Sequence, residues 1–167
     1  MNWTIRNVVS GDEKELAYIQ TESWKEAFKH ILSEELLKTY TDKNRSMKMY
    51  KRLIDEGIGH GYILEVNGNP HCIAWWDKAR DEDMFGYAEL ICIHSLCNQW
   101  RKGYGTKLMR KVLEDMKAKG YDKVLLWVFR DNYQARIFYE KLGFCTFGKM
   151  KTYLNTEEIC YEKKLTL

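Results

Sequence analysis

Leu96-Cys97-Asn98-Gln99-Trp100-Arg101-Lys102-Gly103-Tyr104-Gly105-Thr106-Lys107-Leu108 is the most informative stretch of the chain. Before it, Tyr87 to Leu96 reads as a long strand. After it, Leu108, Met109, Val112, Leu113 and Met116 lie on one stripe of a helix that ends at Gly120. The stretch is therefore a strand, a glycine-bearing loop and a helix start. A helix start presents backbone N–H groups and a positive dipole end, and glycine lets the backbone approach an anion closely. Arg101 and Lys102 add positive charge at the same place. A phosphate or pyrophosphate is the ligand that such a loop suits. The plain alternative is a basic turn with no ligand. The loop lacks the GxxxxGK[ST] spacing of a nucleotide-binding P-loop. Its GxG is also not the dinucleotide fingerprint, which follows a first strand.

Outward from the loop, Thr4 to Val9 reads as a short strand, with Ser10-Gly11-Asp12 as a break and helix cap. Leu16, Ile19, Trp24, Ala27 and Phe28 recur at helical spacing. A second helical piece follows Ser33 and a third runs from Lys43 to Ile54. Tyr62–Val66 and His71–Trp76 flank the turn Asn67-Gly68-Asn69-Pro70, which predicts a hairpin. Val124 to Phe129 is almost wholly apolar, as a strand covered on both faces is. Asn132 to Leu142 reads as a helix closed by Gly143. Phe144 to Lys151 and Ile159 to Leu165 are final strands. The predicted fold class is α/β, with helices covering a mixed sheet.

The 167 residues suit one domain, 1–167, with enough apolar surface for a core. No apolar run approaches the ~18–20 residues of a membrane span, and the first residues lack a secretory pattern. A net charge of +3, with both signs interspersed, lacks the dense basic stripe of a nucleic-acid binder. Five cysteines without a CxxC, and four scattered histidines, predict a cytoplasmic protein with reduced, buried thiols and no metal site.

Three segments together carry a family resemblance: Glu89-Leu90-Ile91-Cys92-Ile93-His94-Ser95-Leu96, the loop Trp100 to Leu108, and Asp131-Asn132 followed by Phe138-Tyr139-Glu140-Lys141-Leu142-Gly143-Phe144. In this order and register the chain resembles the GNAT superfamily of acetyl-CoA-dependent N-acetyltransferases. Thr4-Ile5-Arg6 with Asp12, and Ser23 to Phe28, look like bacterial members that modify small amines. The resemblance implies a mostly antiparallel central sheet flanked by helices, and acetyl-CoA as acyl donor. It implies that the backbone of Arg101, Lys102, Gly103, Tyr104, Gly105 and Thr106 cradles the pyrophosphate. Ile93, His94 and Ser95 would pair by backbone with the pantetheine arm, and Asn132 would touch the cofactor. Two positions depart from the family pattern: Trp100 stands where Gln or Arg is usual, and Cys97 where proline is common.

Acetyl transfer needs a neutral amine, a polarised thioester carbonyl and a proton for the leaving thiolate. An alkyl ammonium has a pKa of about 10.4, so at pH 7 under ~0.1% is neutral. A positioned base shares that cost. Glu89 interrupts the apolar run Tyr87 to Ile91, where a carboxylate is costly without work or a partner. It also matches the position of the base in several family members. The alternative for Glu89 is a solvated or ion-paired strand end, and Asp81, Glu82 and Asp83 are nearby rivals. Tyr139 is the candidate acid: a phenol stays protonated at neutral pH. Its alternative is a place on the apolar stripe with Phe138 and Leu142. Asn132 at a helix start also fits a plain N-cap. By resemblance Trp24 and Phe28, with Tyr40, line the acceptor site, where an aromatic wall attracts an ammonium; at helical spacing they equally suit core packing. Cys97 lacks a neighbouring acid or His to make it a nucleophile. The resemblance predicts direct transfer to a primary amine of a small molecule. Protein N-terminal or lysine acetylation, and a non-catalytic acyl-CoA-binding module, are the alternatives. Final strands in this superfamily often pair between subunits, so a homodimer is part of the expectation.

Overall fold

The computed structural model describes residues 2–165. The chain order is β1 (Trp3–Asn7), α1 (Glu13–Ala27), α2 (Glu34–Tyr40), α3 (Lys43–Asp55), β2 (His60–Val66), β3 (Asn69–Lys78), β4 (Ala88–Ser95), α4 (Tyr104–Ala118), β5 (Lys123–Phe129), α5 (Tyr133–Lys141), β6 (Cys145–Tyr153) and β7 (Thr156–Lys164). Every segment expected from the sequence is present, with ends shifted by a few residues. β1 starts and stops earlier than expected. β7 starts earlier, because the turn at Leu154 and Asn155, both with positive φ, is tighter than the sequence suggests.

The seven strands form one sheet in the order β1-β2-β3-β4-β5-β7-β6. Only β4 and β5 run parallel. α1 and α3 cover one face, packing Leu16, Ala17, Ile19 and Tyr50 onto Ile63, Ile73 and Trp75. α4 covers the other with Tyr104, Leu108, Met109, Val112 and Met116, joined by Tyr139 of α5. β5 is buried on both sides, as its apolar run requires. Local chemistry fixes the helix starts. Ser33 accepts from Leu36 N–H at 3.2 Å and Asp42 from Arg45 N–H at 2.8 Å. Asp12 behaves differently: its carboxylate takes the Val9 amide and a bidentate pair from Arg6 and leaves the helix amides alone.

The middle of the sheet has two irregularities. Trp75 faces Cys92 and Trp76 faces Leu90, so Ile91 is an extra residue on β4, a bulge. The β4–β5 ladder then stops at Leu90–Leu126. Beyond that pair the two parallel strands part. No helix among the described residues is long and apolar enough to cross a membrane. The cysteines are less hidden than expected: Cys72 and Cys160 are buried, Cys92 is half-buried, and Cys97 and Cys145 are exposed.

Candidate active site

A cleft of about 2040 Å³ opens where β4 and β5 separate. That exceeds the roughly 300–1,000 Å³ of an ordinary small-ligand pocket and leaves room for two substrates side by side. β3 occupies the far edge of β4, pairing with Ile93, His94 and Ser95. On the near edge, residues 91–95 have no strand partner among the described residues. An extended polar chain laid there would find backbone donors and acceptors, as an added strand does.

The loop after β4 closes one end of this cleft. Arg101 and Gly103 have positive φ, 65° and 80°, and Gly103 is the N-cap of α4. A Cβ on Gly103 would meet nothing within 4 Å, so the glycine serves the left-handed backbone and not a tight contact. The first bond of α4's own ladder is Lys107 N–H to Gly103 O at 3.1 Å. The amides of Gly105 and Thr106 thus have no acceptor within the helix. A non-glycine residue held left-handed, as Arg101 is, costs of order 1 kcal/mol, which the rest of the loop offsets. Trp100, the residue that departs from the family pattern, donates its indole N–H to Ser95 O at 2.8 Å. It ties the loop to the end of β4 through the protein itself.

Tyr139 lines the cleft from α5. Its ring packs against Phe138, Phe144 and Tyr161. Its hydroxyl makes no hydrogen bond to a described residue, yet it is not sealed off, since no buried polar side-chain atom among them lacks a partner. Burial pushes the phenol well above its ordinary value of 10, with nearby Cys92 adding to the effect. Asn132 caps α5, accepting the Ala135 amide at 3.3 Å, and also lines the cleft.

Glu89 is 1% exposed and has a partner that the sequence does not reveal. Arg80 donates its backbone N–H (3.0 Å) and Nε–H (3.1 Å) to Oε2, and Nη2–H (2.7 Å) to Oε1. The carboxylate is thus ion-paired at the cleft wall, one of the alternatives raised for it. Of its rivals, Asp81 accepts from the Trp127 indole at 3.1 Å and Asp83 pairs with Lys149 at 2.7 Å.

Trp24 and Phe28 both pack and line. They belong to an apolar cluster with Phe129, and they border the cleft. Trp24 stacks on Tyr40, and Phe28 meets Phe129 edge-on at 4.9 Å. Trp24 also donates its indole N–H to His94 Nε2 at 3.3 Å, so that nitrogen must keep its lone pair. Burial lowers the His94 pKa to about 4, consistent with a neutral ring. His94 therefore joins α1 to β4 by its side chain, beyond the backbone role expected of it. Ser95 Oγ lies 3.2 Å from His71 Nε2 on the other face.

The model of the acetyltransferase (GNAT) family matches residues 22–144. The chain belongs to this family. A relative named N-alpha-acetyltransferase 30, from Schizosaccharomyces pombe, is 35% identical over 81 residues, 47% of this chain and 52% of the yeast protein. The matched part thus spans about half of that relative's length. An uncharacterized N-acetyltransferase of Bacillus subtilis, YuaI, is 25% identical over 137 residues, 82% of this chain and 77% of its own. Among solved structures, the PaiA N-acetyltransferase of Thermoplasma acidophilum, in complex with coenzyme A, superimposes with a TM-score of 0.84. It covers 98% of this chain and 99% of its own at 22% identity, which establishes the shared GNAT fold. The mixed, mostly antiparallel sheet flanked by helices is the one the resemblance implied, and it has seven strands and five helices among the described residues.

Proposed function

We propose that this GNAT protein moves the acetyl group of acetyl-CoA to a primary amine of a small molecule, by direct transfer within a ternary complex. The observation that carries the reading is the parting of β4 and β5 after Leu90–Leu126, facing the start of α4. The pyrophosphate sits at the backbone of residues 101–106, and the pantetheine arm along Ile93, His94 and Ser95, with Asn132 beside it. The thioester then lies near Tyr139, and a β4 amide near Ser95 polarises its carbonyl and stabilises the oxyanion. The acceptor enters past Trp24 and Phe28. Its nitrogen attacks the carbonyl carbon, the C–S bond breaks, and Tyr139 gives its proton to the thiolate. Glu89, held by Arg80, takes the amine's proton through a water. A second acceptor, a peptide N-terminus, is favoured by one finding, the name of the yeast relative.

A thiol-release assay with acetyl-CoA separates these readings. Release driven by small primary amines above that driven by peptides with free N-termini supports the proposal. Release by peptides alone favours the second reading, and no release with any amine overturns both.

A further inference from the structure

The carboxylates around the cleft are nearly all spoken for. Glu89 is paired with Arg80, Asp81 is bonded to Trp127, Asp77 accepts the Lys78 amide, and Glu26 holds Lys29. Exposed Asp131 at the α5 start needs no partner beyond water. Glu158 on β7 is the exception. It is half-buried, it lines the cleft, and its side chain makes no hydrogen bond or ion pair with a described residue.

Strand alternation puts it there. In the ladder, Phe129 faces Glu158 and Trp127 faces Cys160, so Glu158 stands on the same face as these aromatics. Its other cross-strand neighbour is Lys151. That ammonium does not rest on the carboxylate; it lies over the Trp127 ring, 4.1 Å from the centroid. The preceding residue, Glu157, points to the opposite face and pairs with Arg130 at 2.5 Å. The surroundings of Glu158 are aromatic. Phe129 stacks on Tyr153 and meets Phe28 edge-on, and Trp24 stacks on Tyr40 close by. A half-buried carboxylate without a partner is costly, and burial raises its pKa, with Glu89 and Asp81 adding repulsion against Lys151 and Arg80. A cation brought by a ligand removes that cost, and aromatic faces beside it attract the same charge.

We infer that Glu158 is the carboxylate that holds the ammonium of the incoming acceptor at the aromatic end of the cleft, making the site selective for cationic amines. This rests on the proposed acetyl transfer. It assigns Glu158 a part in binding, whereas Glu89 and Tyr139 handle protons.

The test is calorimetric. Benzylamine, and benzyl alcohol as its uncharged counterpart, are titrated into the coenzyme A complex of the wild type, Glu158→Gln and Glu157→Gln. The wild type and Glu157→Gln should prefer the amine by tenfold or more. Glu158→Gln should bind the two probes within twofold of each other, with coenzyme A affinity unchanged, and Glu158→Asp should recover part of the preference. A preference that survives in Glu158→Gln, or wild-type protein that binds both probes equally, overturns the inference. Failure of the wild type to bind coenzyme A would instead strike the proposed function, so the two failures are distinguishable.

Discussion

Replacing Tyr139 with Phe removes one oxygen and little else. The ring keeps its contacts with Phe138 at 5.4 Å, Phe144 at 5.9 Å and Tyr161 at 6.4 Å. The hydroxyl has no hydrogen-bond partner among the described residues, so no buried group is orphaned and stability should change by less than about 0.5 kcal/mol. The catalytic effect should be large. A positioned acid contributes roughly 10²–10⁴-fold, about 3–5 kcal/mol of barrier. Burial holds the phenol above 10, so it is protonated throughout the neutral range and ready to give its proton to a thiolate. Thiol release at saturating acetyl-CoA and amine reads kcat; calorimetry reads coenzyme A affinity. The expected result is a kcat loss of about a hundredfold or more, with affinity and melting temperature unchanged. A kcat within twofold of wild type would refute the acid role and leave Tyr139 as a packing residue.

Trp100→Phe deletes the bond to Ser95 O, worth about 1 kcal/mol, and frees the loop from β4. Coenzyme A affinity should fall about threefold to tenfold by calorimetry, and unchanged affinity would mean that the loop holds its shape without the indole. His94 should stay neutral down to about pH 4, read from its ring proton shifts by NMR. Because its folded-state pKa lies below the ordinary 6.5, its contribution to stability is complete above pH 6.5. It is lost as pH falls towards 4, on the order of 3 kcal/mol in all. Titration near 6.5 would contradict the bond from Trp24.

Much of the fold is legible in the sequence because it is local. The apolar stripe from Leu108 to Met116 can only be one face of a helix, and Asn67-Gly68 can hardly be anything but a turn, with φ of 52° and 79°. The loop at Arg101 to Gly103 announces itself by charge and glycine together. The rest depends on partners far away in the chain. Nothing near Glu89 marks Arg80 as its clamp, since the two meet only through the turn from β3 to β4. The end of the β4–β5 ladder at Leu90 is a property of the sheet, with no residue type to signal it. In the sequence Trp100 reads as the loss of a polar contact; in the fold its indole restores one, on Ser95 O. Glu158 can be reached by alternation, two positions before Cys160 on a half-buried strand, but only an inventory of neighbouring cations shows that it lacks a partner.

The proposed function lays acetyl-CoA along the open edge of β4 with its phosphates at the start of α4. Backbone amide shifts, followed by NMR as acetyl-CoA is added, test that placement most directly. The largest changes should fall at residues 91–95 and 101–106, with Asn132 and its neighbours next. Changes confined to other parts of the surface, or none at saturating acetyl-CoA, would contradict it.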